Sequence, residues 1–175
     1  MALYALEDAA PVVHPEAFVH PAAVLIGDVR IGRKCFIAAC AVLRADFSSI
    51  VVGDGSNVQE NCALHVTPGL GTTIEEDVVI AHGAILHDAT VRRGSVVGMN
   101  AVLLQGVVVE EGAMVAAGTV VPNNMIVPAR KMVAGNPAKI KNDVPEIYEQ
   151  LRQAGLSLYQ DLPERYRKGL RRIDG

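Results

Sequence analysis

Residues 91–133 read VRRGSVVGMNAVLLQGVVVEEGAMVAAGTVVPNNMIVPARKMV. An aliphatic side chain returns at every sixth place: Val91, Val97, Leu103, Val109, Val115, Val121, Val127 and Val133. Four places after the first five of these stand smaller residues, Ser95, Ala101, Val107, Ala113 and Thr119. The same beat runs earlier through Val13, Val19, Leu25, Ile31, Ile37 and Leu43, with Ala17, Ala23, Val29, Cys35 and Ala41 four places on. An amphipathic helix repeats at 3.6 residues and a half-buried strand at 2, so neither explains a period of six. That period marks a parallel β-helix, in which each unit gives one short strand and one corner. Three units close a triangular coil of about eighteen residues, and stacked coils lie about 4.8 Å apart.

The composition agrees with a prism of this kind. Of the 175 residues 50% are apolar but only 4% aromatic, and Trp is absent, so the lining is Val, Ile, Leu and Ala. A net charge of −3 argues against a nucleic-acid partner, and the only basic cluster, Arg165 to Arg172, reads as a solvated helix face. No stretch approaches the twenty apolar residues of a membrane span, and no charged start precedes an apolar run, so a cytoplasmic location is expected. Three cysteines, an odd number, make no disulfide framework. Cys35 and Cys62 fall on the small inward position, with Cys40 beside it, and their expected role is packing.

The coil region runs from about Val12 to Ala138, which divides the chain into a β-helix domain, 1–140, and a helical segment, 141–175. The beat slips around Asp46 to Ile50. A loop, His65-Val66-Thr67-Pro68-Gly69-Leu70-Gly71-Thr72, is inserted before Ile74 and reads as an excursion from a corner. Beyond Gly135-Asn136-Pro137-Ala138-Lys139 the pattern turns helical. Asp143 with Glu146 forms a candidate cap, and Ile147, Leu151 and Ala154 share an apolar face expected to lie on the prism. Gly155 is expected to end this helix. A second segment carries Leu158, Leu162, Tyr166 and Leu170, bent at Pro163.

Three histidines fall at telling places. His65 follows Leu64 and His87 follows Leu86, and those two leucines lie three strands, one full coil, apart. Both imidazoles are therefore expected on one edge, about 5 Å apart along the stack. His82 follows Ile80 by two residues, which puts it on the preceding face, so a neighbouring copy would have to bring it to the pair. Three prisms side by side would form three such sites. Three nitrogen ligands with one open position is a catalytic metal arrangement suited to zinc, iron(II) or cobalt(II). Asn57 and Gln59 flank Val58 just upstream, where neutral amides can tune a metal site. Arg44 and Asp46, at the irregular turn, are candidates for an intersubunit pair or for holding an anion. His14 and His20 have no third nitrogen nearby and read as surface corners.

Leu43-Arg44-Ala45-Asp46, Asn57-Val58-Gln59-Glu60-Asn61, His65 and His82-Gly83-Ala84-Ile85-Leu86-His87 resemble the gamma-class carbonic anhydrase family of hexapeptide-repeat proteins. Within it they are most similar to a bacterial subgroup named for phenylacetate degradation and carnitine metabolism. The resemblance implies a trimeric, left-handed β-helix with His65, His82 and His87 as metal ligands. It further implies that Gln59 and Asn57 orient the reacting water or bicarbonate, and that Arg44 and Asp46 serve the interface and the anion. Tyr159 in the tail would either reach the cleft or pack the helix. The implied reaction is metal-dependent hydration of carbon dioxide to bicarbonate.

Two departures qualify that expectation. Glu60 stands where the family has a shorter aspartate, and the loop after His65 holds no acidic proton shuttle. The alternatives are a metal-assisted thioesterase acting on coenzyme A esters, a hexapeptide acyltransferase using one histidine as base, and a non-catalytic metal-binding or assembly protein.

Overall fold

The six-residue beat becomes coils because each aliphatic position turns inward and each unit ends in a corner that only a few residues can make. In the computed structural model, which describes residues 2–174, the chain winds into a left-handed parallel β-helix of about seven turns, followed by one helix. Three faces repeat. The first is built from Phe18–Val19, Phe36–Ile37, Asn57–Val58, Val79–Ile80, Val96–Val97, Met114–Val115 and Lys131–Ala134. The second stacks Val24 on Val42, Ala63, Ile85, Val102 and Val120. The third stacks Ile50–Val52 beneath Thr72–Ile74, Thr90–Val91, Val108–Val109 and Ile126–Val127.

The core is the column of inward residues. Leu25, Leu43, Leu64, Leu86 and Leu103 are fully or almost fully buried and stack in register, as do Ile37, Val58, Ile80, Val97 and Val115 on the first face. Each such side chain contributes about 1.5–3 kcal/mol relative to an exposed position. Corners repeatedly use left-handed backbone, filled by Gly or Asn at Asn61, Gly83, Asn100, Gly106, Gly112 and Asn124. At Gly83, φ +72°, a Cβ would stand 2.2 Å from Asn100 Oδ1, so a larger residue there would strain the backbone and displace that side chain.

The slip around Asp46 is a local loop-out within one long strand, Val42–Val52. Ala45 pairs with Gly27 and Ile50 with Val29, so the upper coil carries three residues more than the one below. Gly27, at φ +76°, accommodates this, because a Cβ would meet Ala45 O at 2.2 Å. An extra strand before the expected start, Ala2–Tyr4, pairs with Val24–Ile26.

The tail departs from expectation. Asp143 is the last residue of an antiparallel strand, Lys139–Asp143, which pairs with Lys131–Ala134 and crosses the 140/141 boundary. It caps nothing: one helix runs Glu146–Gly169 without a side-chain N-cap, through Gly155 and Pro163 unbroken. Ile147 and Leu151 are exposed, at 57% and 60%. The buried side is instead Leu156 and Pro163, flanked by Tyr159 and Tyr166 against Phe36, with ring centroids 6.1 and 5.0 Å apart. Aromatic partners on the first face, Phe18 and Phe36, decide which side docks. Polar bonds fasten it: Gln160 Nε2 donates to Gly55 O at 3.2 Å, Arg152 to Asp77 O at 3.3 Å, and Arg167, in the basic run, to Ala17 O at 3.1 Å. Among the described residues no helix is long and apolar enough to cross a membrane.

Burial also sorts the cysteines. Desolvation pushes the Cys35 thiol up to about 12 and the Cys62 thiol up to about 11, whereas Cys40 is exposed. A thiol reagent applied to the native protein at pH 8 therefore labels one cysteine per chain quickly, and Cys40→Ser removes that reaction. Rapid labelling of a second thiol would contradict this burial.

Candidate functional site

The second face has chemistry on both of its edges. On the far edge the register stacks Arg44, His65 and His87 in consecutive coils. With Leu64 and Leu86 inward, the alternation of the strand turns both histidines away from the core. Their ring centroids lie 5.0 Å apart at 88°. His65 Nε2 is 3.1 Å from Asp46 Oδ1, and Asp46 in turn forms an ion pair with Arg44. Desolvation pushes the Asp46 carboxyl upward, but hydrogen bonds from Arg44, its own backbone and His65 outweigh this and hold it below its ordinary value. His87 Nε2 lies 3.4 Å from Asp88 Oδ2. Phe47, 57% exposed, sets its ring edge-on to His65 at 6.0 Å.

On the near edge, at the corner leading into the second face, His82 Nδ1 lies 2.6 Å from Glu60 Oε2. Glu60 sits one coil below, where its carbonyl accepts from Gly83 N at 2.8 Å. Both side chains are a little over two-fifths exposed. A carboxylate only accepts, so Nδ1 carries the proton, and Nε2 is the nitrogen left to accept when the ring is neutral. Gln59 and Asn57 lie beneath the tail helix on the first face, both buried, with Gln59 Nε2 donating to Asn57 Oδ1 at 3.0 Å. Among the described residues the buried Asn57 Nδ2 finds no hydrogen-bond acceptor. Tyr159 packs on Phe36. Burial raises its phenol above the ordinary value, and the charge of Glu60 adds to the rise.

The structure thus gathers Arg44, Asp46, His65 and His87 at one edge, and Asn57, Gln59, His82 and Tyr159 toward the other. At about 3.3 Å of rise per residue, the strand between them keeps His82 on the order of 10 Å from His87. Among the described residues no three or more His, Cys, Asp or Glu side chains of one chain converge as metal ligands. The far edge supplies two imidazole nitrogens that could share an ion, and a third donor would have to come from another copy. Glu60 pairs with His82, and the carboxylate partner of Arg44 within the chain is Asp46. The partnership of Glu60 with His82 and that of Asp88 with its surroundings were missed in the sequence. Counting one coil back from His82 would have found the first.

No family model matches the chain. The carnitine operon protein CaiE of Proteus sp. (strain LE138) is 42% identical over 170 residues, spanning 97% of this chain and 86% of that protein. Among solved structures, a hexapeptide transferase family protein from Anaplasma phagocytophilum superposes with a TM-score of 0.90 at 35% identity, covering 94% of this chain and 98% of that one. A Bacillus cereus protein described provisionally as an acetyltransferase superposes with a TM-score of 0.93 at 28% identity, covering 95% and 97%.

Proposed function

The chain belongs to the hexapeptide-repeat family of the carnitine operon protein CaiE, and we propose that it moves an acyl group from a thioester to a small acceptor, with His82 as general base. The observation that carries this reading is the 2.6 Å contact between His82 Nδ1 and Glu60, which fixes the ring and leaves Nε2 basic. In the step, His82 Nε2 takes the proton of an acceptor hydroxyl, amine or water as its heteroatom bonds the thioester carbonyl carbon. The carbon–sulfur bond then breaks, and the proton passes to the leaving thiolate. Water as acceptor makes the same step a thioester hydrolysis.

The half-exposed dyad needs a second wall to exclude water, and the second face offers a means of supplying one. Its outward column, Val24, Val42, Ala63, Ile85, Val102 and Val120, is apolar, with Ile85 46% and Val42 36% exposed. Packing this face around a threefold axis covers the column. It also sets the His82 edge of one copy against the His65–His87 edge of the next. Ile85→Asp, which places a charge within the column, is expected to convert a trimer to monomer in sedimentation velocity. An unchanged trimer would remove this face from the assembly.

A second reading, metal-dependent hydration of carbon dioxide, draws on the two in-register imidazoles 5.0 Å apart. His65 and His87 would hold a zinc, iron(II) or cobalt(II) ion together with His82 of a neighbouring copy. Such an ion, when bound, would serve as a Lewis acid and lower the pKa of water toward 7. Arg44, held by Asp46, would offer an anionic product a guanidinium.

Thiol release from acetyl-CoA, measured with and without an amine acceptor on protein of known metal content, tests the first reading. Activity should fall by about 10²–10⁴ in His82→Ala, the usual contribution of a general base, and less in Glu60→Gln. Full activity in His82→Ala would overturn it. Absence of thiol release together with stopped-flow hydration of carbon dioxide that scales with metal content would favour the second. No turnover in either assay would leave a binding or assembly role.

A further inference from the structure

Asp88 stands at a corner with φ +50°, where a glycine would carry no backbone strain. Its carboxylate is fully buried. Burial of a carboxylate needs partners, and here they come chiefly from the inserted loop. Thr67 N donates to Oδ1 at 2.8 Å and Thr67 Oγ1 to Oδ2 at 2.6 Å. Gln105 Nε2, from the next coil, reaches Oδ2 at 3.4 Å and Thr67 Oγ1 at 3.3 Å. The far end of the loop is tied as well, since the buried Thr72 hydroxyl donates to His65 O at 3.1 Å. Between these ties Pro68, Gly69 and Leu70 are exposed. The same Asp88 Oδ2 faces His87 Nε2 at 3.4 Å.

We propose that Asp88 is a positioning residue, a buried clamp that locks the Thr67–Thr72 loop and the His87 ring into one rigid unit. The loop is then a fixed wall of the histidine edge and not a lid that opens. A strained corner is retained because the side chain it carries does what no glycine could. This role rests on the histidine edge being part of the active site, whereas the clamp itself can be measured without any substrate.

Two substitutions separate clamping from folding. Asp88→Gly suits the backbone and deletes the clamp. Asp88→Asn keeps an oxygen for Thr67 N–H and offers an amide hydrogen to the Thr67 hydroxyl. Amide hydrogen exchange and the imidazole ¹H–¹⁵N resonances are recorded for the whole protein. In Asp88→Gly, exchange at Thr67 should rise about ten- to a hundredfold, the loss of a hydrogen bond to a charged acceptor. The His87 resonances should move, Leu86 and Leu103 should stay protected, and Asp88→Asn should restore protection at Thr67. Unchanged Thr67 exchange or unmoved His87 resonances in Asp88→Gly would overturn the clamp. Thioester cleavage should fall in Asp88→Gly and return in Asp88→Asn. A wild-type protein inactive on thioesters would overturn the acyl-transfer reading instead, and the exchange data alone would then decide the clamp.

Discussion

The inward aliphatic column governs everything else in this molecule. Leu25, Leu43, Leu64, Leu86 and Leu103 occupy the same place in five successive coils, each with almost no exposed surface. Strand side chains alternate, so a slip of one residue would turn every leucine outward and every neighbour in. That cost locks the register, and the register places the chemistry. His65 lies under His87 because Leu64 lies under Leu86. Glu60 comes under His82 because the strand preceding each, Asn57–Val58 and Val79–Ile80, pairs with the same strictness.

The coils and the stacking of His65 on His87 were legible in the sequence because both follow from one period and one inward residue per strand. The tail was not. Ile147 and Leu151 have helical spacing and sufficient hydrophobicity, yet the docked side is chosen by what it meets, and Phe18 and Phe36 favour Tyr159 and Tyr166. Asp143 fits a cap only if nothing pairs with it, and the antiparallel return to Lys131–Ala134 takes it first. The near edge was half legible: His82 was assigned to a face apart from the pair, but its partner lies 22 residues back and shows only when corners are counted coil by coil. Asp88 was hidden for a different reason, since its partners belong to a loop with no periodicity to read.

Each of the three histidines facing the second face has a carboxylate beside it: Asp46 for His65, Glu60 for His82, Asp88 for His87. The two that are hydrogen bonds, at His65 and His82, fix ring orientation and tautomer, which a general base and a metal ligand both require. What separates the two uses is which rings meet. Within one chain the two edges are held apart by the width of a face, and only a neighbouring copy can bring them together. The apolar column between them is the surface on which that neighbour would sit, so in the proposed assembly association and chemistry would depend on the same strands.

Co-expression of His82→Ala and His65→Ala chains carrying different tags, with purification of the mixed oligomer, tests that dependence most directly. Each variant alone should cleave thioester at a small fraction of the wild-type rate, His82→Ala for want of the base and His65→Ala because the edge that walls the base off from water loses its ring. The purified mixed trimers should recover about one third of the wild-type activity, because in either mixture one of the three interfaces joins an intact His82 edge to an intact His65 edge around the symmetry axis. Mixed oligomers no more active than either parent would contradict a site shared between copies.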